Sequence, residues 1–200
     1  KINLVTNVSH DLKTPLTSII SYVDLLSKED LSETARDYIN ILMEKSNRLK
    51  NIVADLFDLA KSTSGDINVD FEDLDLKKLI EQTLGDMEDD IEKSGLTIKT
   101  NLPEEAVMIK SDGKKLYRVF QNIIDNALKY SLLGTRIFVE LEEKDNMAIA
   151  TVKNTAGYEM DFTAEDILQR FNRGDESRTT DGSGLGLSIA ESFTEVSGGN

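Results

Sequence analysis

Gln121-Asn122-Ile123-Ile124-Asp125-Asn126-Ala127-Leu128-Lys129-Tyr130-Ser131 is the end of a helical pattern with two distinct faces. On a helix, residues three and four apart are neighbours. From Gly113 to Ser131, Leu116, Val119, Phe120, Ile123, Ile124, Ala127 and Leu128 therefore make one wide apolar side. Asn122, Asn126, Lys129 and Tyr130 fall at i, i+4, i+7 and i+8, on an adjoining side. Two carboxamides can hold a hard cation by their oxygens, and a lysine can reach a phosphate. An ordinary polar helix face uses the same residue types, so the surroundings must decide.

Those surroundings mix helices and strands. Ile67, Val69 and Phe71 alternate like a strand, and Leu76–Ser94 reads as one helix. Leu96–Thr100 and Val107–Lys110 read as short strands around Pro103. Arg136–Glu143 and Met147–Asn154 give a hairpin signal around Lys144-Asp145-Asn146. Ala164–Phe171 and Leu185–Val196 read as helices. This mixture predicts an α/β sandwich with an antiparallel or mixed sheet.

Residues 1–63 read differently. Val5, Leu12, Leu16, Ile19, Val23 and Leu26 keep a helical rhythm. Ile39, Leu42, Ser46, Leu49, Val53, Leu56 and Ala60 step by three and four through three heptads. Lys28-Glu29-Asp30-Leu31-Ser32 connects the two stretches, with Ser32 suited to an N-cap. Two apolar seams on one hairpin bury poorly alone. Pairing two hairpins into a four-helix bundle covers both; packing the hairpin on its own C-terminal domain is the alternative. Ser62-Thr63-Ser64-Gly65-Asp66 breaks the heptads and reads as a linker.

Composition excludes several chemistries. The 200 residues contain no cysteine and one histidine, so disulfides, thiolate sites and multi-histidine metal sites are ruled out. No apolar run approaches the ~20 residues of a membrane span. The first residue is Lys1, which fits a segment of a longer protein. Residues 1–64 hold 8 basic and 9 acidic side chains, which leaves −13 of the net −14 to the remainder. Nucleic-acid binding needs clustered Lys and Arg, so none is expected. A phosphate ligand needs a local pocket.

Two local features could supply phosphate chemistry. Asp181-Gly182-Ser183-Gly184-Leu185-Gly186-Leu187-Ser188 places alternating glycines before a helix. Such a loop exposes N–H groups, and a helix start favours an anion. It lacks the Gly-Lys-Ser/Thr of a P-loop and the preceding strand of a Rossmann turn. Asn172–Asp181, before it, has the polar, glycine-containing composition of a lid. The single histidine lies in His10-Asp11-Leu12-Lys13-Thr14-Pro15. An adjacent carboxylate can orient an imidazole and take its proton. Pro15 cannot donate to the Asp11 carbonyl, and a kink is expected there.

Together these pieces resemble the core of a sensor histidine kinase, over nearly the whole chain. Asn7–Leu16 looks like the phosphoacceptor box and Gln121–Ser131 like the N box. Ile167–Arg173 looks like the F box and Asp181–Ser188 like the second glycine box. Four boxes in order are more specific than any one.

The resemblance implies an α+β chain in three parts. A dimerisation and phosphotransfer hairpin (1–63) forms a dimeric four-helix bundle. A linker (64–68) leads to a Bergerat-fold ATP-binding sandwich (69–200), here without the family's usual closing strands. It implies His10 as phosphoacceptor, Asp11 as its base, and Thr14 positioning water in a reverse phosphatase reaction on a response regulator. Asn122 and Asn126 would serve Mg²⁺, Lys129 the phosphates of ATP, and Tyr130 the adenine. Asn154, Gly157, Arg173, Gly182, Gly184, Leu185 and Gly186 complete the implied nucleotide-binding set. Related ATPases carry a water-activating glutamate near the first asparagine; a carboxamide there suits transfer to histidine.

One box departs. In Val152-Lys153-Asn154-Thr155-Ala156-Gly157-Tyr158, Asn154 stands where the family has an adenine-contacting aspartate, and only Gly157 remains of the Gly-x-Gly. Asn154 can still accept from the adenine amino group, as a neutral and weaker partner. The expected function is an ATP-dependent, bifunctional protein histidine kinase. It would work as a homodimer with a response-regulator receiver domain as partner, in the cytoplasmic portion of a membrane-anchored parent. The alternatives are a dimeric scaffold that docks a regulator without ATP turnover, and an ATP hydrolase disfavoured by the absent glutamate.

Overall fold

Apolar spacing and a capped turn build a helical hairpin from α1 (Ile2–Ser27) and α2 (Glu33–Thr63). The computed structural model describes residues 2–63, 69–158 and 185–199, with side chains from Leu12 onward except those at 55 and 58–63. The described chain divides into two compact units, 1–67 and 68–200. Ser32 caps α2: its Oγ accepts from the Ala35 N–H at 3.3 Å, and its carbonyl accepts from the Arg36 N–H at 2.9 Å. α1 continues unbroken across Pro15, where a kink is expected from sequence. One missing ladder bond is tolerated within 26 helical residues.

The heptad rhythm resolves into two rows rather than one seam. Leu16, Val23, Ile39 and Phe57 are buried within the hairpin. Leu12, Ile19 and Leu26 on α1, and Leu42, Leu49 and Leu56 on α2, recur every seven residues and remain 44–51% exposed. The hairpin thus covers one apolar row per helix and leaves a second row bare.

The second unit packs helices against two small sheets. β1 (Glu72–Asp75) pairs antiparallel with β3 (Met108–Ser111), Leu74 opposite Ile109. β2 (Thr97–Asn101) lies parallel to β4 (Arg136–Lys144), which pairs antiparallel with β5 (Met147–Lys153), so this sheet is mixed, in the order β2-β4-β5. Asp145 and Asn146, at φ 52° and 61°, make the tight turn between β4 and β5. Along β4, Ile137, Val139 and Leu141 point into the core while Arg136 and Phe138 point out. The helices are α3 (Leu76–Asp86), α4 (Glu88–Ser94), α5 (Gly113–Tyr130) and α6 (Gly186–Val196). Ile80, Ile124 and Ile137 are fully buried. Each such side chain contributes about 1.5–3 kcal/mol by leaving water.

Two expectations change. The strand read from Ile67, Val69 and Phe71 starts instead at Glu72, where pairing with Ser111 begins; residues 69–71 lie outside the strand, and Ile67 lies outside the described residues. The single helix over Leu76–Ser94 is two. Met87 interrupts it at φ −101° and ψ 8°, its side chain buried. Glu88, Asp89 and Asp90 then suit the positive start of α4. The apolar period runs through Ile80, Thr83, Met87 and Ile91 without a gap, so the sequence pattern hides the break. The expected helix Ala164–Phe171 lies outside the described residues.

Asp112 ties the entry of the second unit to α5. Its buried carboxylate accepts from the N–H groups of Asp70, Lys114 and Lys115, each at 3.1 Å, and from Lys115 Nζ at 2.5 Å. Burial alone would raise this carboxyl. The hydrogen bonds from Lys115 and Asp70, with the Lys115 charge, outweigh it and hold the carboxyl below its ordinary value. A carboxyl depressed on folding stabilises above its unfolded pKa of about 3.9 and ceases to as pH falls through the folded value. Asp112→Ala should therefore cost about 1–3 kcal/mol at pH 7 in urea unfolding of the second unit. The gap between the two proteins should narrow below about pH 4.

Candidate nucleotide site

α5 carries the site because its other face is locked in the core. Phe120, Ile124 and Ala127 are buried, so the helix can neither roll nor slide. Asn122 and Asn126, one turn apart, then sit half-buried on the adjoining face, with Lys129 and Tyr130 following. Lys129 Nζ meets Asp125 Oδ2 at 2.5 Å, an i,i+4 pair with both groups well exposed. Exposed pairs of this kind are worth well under about 1 kcal/mol, so the ammonium can change partners easily.

The C-terminus of α5 is stitched to the segment after β5. The Leu132 N–H donates to the Thr155 carbonyl and the Gly157 N–H to the Tyr130 carbonyl, both at 2.9 Å. Ser131 and Ala156 form a β-bridge. Asn154 Nδ2 donates to Ser131 Oγ at 3.1 Å, and Ser131 Oγ donates to the Ala127 carbonyl at 2.6 Å. Gly157 lies close to this helix end, where a Cβ would stand 3.5 Å from the Leu132 backbone. The Tyr130 and Tyr158 rings meet edge to face, 6.2 Å apart at 83°.

α6 closes another side. Leu185 is its N-cap and makes no side-chain cap bond, and the first N–H groups of a helix have no intrahelical acceptor. The start of this helix lies against Asn122: a Cβ at Gly186 would stand in van der Waals contact with the carboxamide Cγ and Oδ1, at 3.6 Å. Asn122 Nδ2 is buried yet has no hydrogen-bond partner among the described residues, and neither has Ser188 Oγ in the first turn of α6. A buried donor without a partner costs about 1–3 kcal/mol, so an acceptor such as water or a phosphate oxygen is needed there.

The structure therefore places Asn122, Asn126, Lys129 and Tyr130 along the C-terminal half of α5, with Leu185 and Gly186 at the helix start beside Asn122 and with Asn154 and Gly157 at the end of α5. Arg173, Gly182 and Gly184, with the Ile167–Arg173 segment, lie outside the described residues. In the hairpin, α1 carries His10, Asp11 and Thr14; the side chains of His10 and Asp11 lie outside the described residues, and Thr14 is exposed. Among the described residues no cluster of three His, Cys, Asp or Glu side chains could bind a metal ion unaided. Two neutral carboxamides fit Mg²⁺ nonetheless, because that ion keeps waters and takes its charged ligands from substrate phosphates.

Two residues escape sequence reasoning. Tyr158 gives no signal, since an aromatic residue after a loop glycine has no period to betray its partner. Ser131 offers a faint one, a hydroxyl at a helix C-terminus. The Asp125–Lys129 pair was readable from its i,i+4 spacing.

Residues 1–65 match the model of the His Kinase A (phospho-acceptor) domain. Residues 111–200 match that of the histidine kinase-, DNA gyrase B- and HSP90-like ATPases. The sensor protein VanSC of Enterococcus gallinarum is 33% identical over 204 residues, covering 100% of this chain and 56% of VanSC. The sensor histidine kinase YcbM of Bacillus subtilis is 28% identical over 200 residues, covering 98% of this chain and 64% of YcbM. The chain thus spans less than two thirds of these relatives. The crystal structure of full-length ShkA in complex with AMPPNP superposes with a TM-score of 0.79 at 22% identity, over 96% of this chain and 40% of that one. That likeness concerns the fold: a helical part followed by a Bergerat-type α/β domain. With the phospho-acceptor and ATPase models matched in that order, and sensor kinases aligned along its whole length, the chain belongs to the sensor histidine kinases of two-component systems.

Proposed function

We propose that this chain is the ATP-dependent, autophosphorylating core of a protein histidine kinase. The observation that carries the reading is the buried Asn122 donor, which has no hydrogen-bond partner among the described residues and lies beside Gly186 at the start of α6, on the face of α5 that also carries Asn126 and Lys129. This arrangement suits a nucleoside triphosphate. Tyr130 and Asn154 would meet the adenine, and Lys129 would exchange Asp125 for a phosphate. The start of α6 would offer its N–H groups to phosphate oxygens. Asn122 and Asn126 would hold Mg²⁺, which when bound offsets charge on the phosphates.

His10 is the acceptor in this reading. A neutral ring nitrogen attacks the γ-phosphorus; the N–P bond forms as the bond to the β–γ bridging oxygen breaks, and ADP leaves. The other ring nitrogen gives its proton to the Asp11 carboxylate. The phosphoryl group then passes to a response-regulator aspartate, and Thr14 would position water for its hydrolysis in reverse. The bare rows at Leu12, Ile19, Leu26, Leu42, Leu49 and Leu56 support a second copy of the hairpin as the covering partner. No described helix is long and apolar enough to cross a membrane. A membrane-anchored parent, with this chain on the cytoplasmic side, is part of the proposal. A regulator-docking scaffold is the second reading, favoured by Asn154 in place of a carboxylate; calorimetry with Mg²⁺–ATP separates the two, because the scaffold gives no binding heat.

Three outcomes are expected. By light scattering the unmutated chain should be a dimer, and Leu49→Asp, which places a charge in the bare row, should be a monomer; a monomeric unmutated chain defeats the bundle. Asn126→Asp should reduce autophosphorylation roughly 10²-fold or more while leaving the dimer mass unchanged. His10→Gln should abolish label incorporation from γ-labelled ATP while ATP binding persists. The label on the unmutated chain should be lost in acid and kept in base, as a phosphoramidate requires. Acid-stable label, or label on the His10→Gln protein, would place the acceptor elsewhere.

A further inference from the structure

We infer that Ser131 is a positioning residue that fixes the side-chain amide of Asn154 in one orientation and so sets the preference of this site for adenine over guanine. The inference rests on the nucleotide reading above and goes beyond it.

The argument starts from proton bookkeeping. An asparagine presents an acceptor oxygen and a donor nitrogen, and rotating the amide by half a turn exchanges them. Adenine carries an amino donor at the position where guanine carries a carbonyl acceptor. An unrestrained asparagine could therefore serve either base, whereas an aspartate at the same place only accepts. Replacing the carboxylate by Asn154 should cost the site its discrimination unless something holds the amide.

Ser131 holds it. A serine hydroxyl has one proton. That proton is committed to the Ala127 carbonyl at 2.6 Å, because a carbonyl oxygen can only accept. Ser131 Oγ can then only accept from its other neighbour, so Asn154 must turn its Nδ2 toward it, as found at 3.1 Å. The acceptor Oδ1 is left for the ligand. The relay Asn154 Nδ2–H to Ser131 Oγ–H to Ala127 O makes the asparagine imitate an aspartate in polarity, though not in charge. Its ends are anchored. Ala127 is buried in the core, and the backbone on both sides is held by the Leu132–Thr155 and Gly157–Tyr130 bonds. Ser131 itself is fixed, since its N–H also donates to the Ala127 carbonyl, at 3.1 Å.

The test is the ratio of ATP to GTP affinity, measured by calorimetry with Mg²⁺ on the full chain. The unmutated protein should prefer ATP. Ser131→Ala frees the amide and should lower that ratio by about fivefold, the scale of one neutral hydrogen bond. Ser131→Thr keeps the hydroxyl and should restore it. In an Asn154→Asp background there is no amide to turn, so Ser131→Ala should leave the ratio unchanged. A purely structural role for Ser131 predicts something else: both nucleotides weaken together and the ratio holds. That result, or no rescue by Ser131→Thr, or an unmutated protein that binds GTP as well as ATP, overturns the inference alone. An unmutated protein that binds neither nucleotide overturns the nucleotide reading and this inference with it.

Discussion

The apolar face of α5 sets the geometry of everything around it. Ile124 is fully buried in the middle of the helix, with Phe120 and Ala127 one turn to either side. A helix is stiff, so pinning one face fixes the direction of every other side chain to within a rotamer. Asn122 and Asn126 face the site because their neighbours cannot leave the core. Emptying the Ile124 position would cost about 2–5 kcal/mol, and in a unit of this size that threatens the site and the fold together.

The ends of α5 are secured by polar means, at opposite ends of one rigid body. At the start, Asp112 joins the β1 approach to the first turn through Asp70, Lys114 and Lys115. At the finish, Ser131, Tyr130 and Leu132 are bound to residues 154–157. The β4–β5 hairpin matters to the site for this reason. It delivers Asn154 to the helix end, and its own register is set by the two left-handed residues of its turn. A slip of one residue there would turn Val152 outward and move Asn154 off Ser131.

Periodic features of this architecture were legible in the sequence. The two hairpin helices, the face of α5 and the β4–β5 hairpin each repeat a simple spacing over many residues. What was illegible lacked repetition. The break at Met87 keeps the apolar period intact on both sides, so pattern alone favours one helix. The two rows in the hairpin share one heptad rhythm, and only packing separates Leu16 and Val23 from Leu12, Ile19 and Leu26. The start of β1 depends on a partner strand about forty residues away. At the site, the spacing of the asparagines and lysine was plain. The Ser131–Asn154 bond and the Tyr130–Tyr158 contact join segments more than twenty residues apart, and no local pattern marks them.

Charge poses the remaining problem, because the C-terminal part of the chain holds 13 of the 14 excess negative charges. A highly charged anion has no long-range reason to approach such a surface. The site meets this with local neutrality. Asn122, Asn126 and Asn154 are all neutral amides, two of them at or near places where the family resemblance implies carboxylates in related proteins, and Asp125 is offset by Lys129. A carboxylate at position 122 would sit beside Gly186 and the start of α6, where a nucleotide needs donors rather than a further anion. An amide there also cannot take a proton from water, which on the proposed reading leaves an imidazole as the better nucleophile for a bound triphosphate. On that reading the same substitution of amide for carboxylate serves binding and the direction of transfer. At Asn154 it brings a liability, an amide that could face either way, and the hydroxyl of Ser131 is placed to remove it.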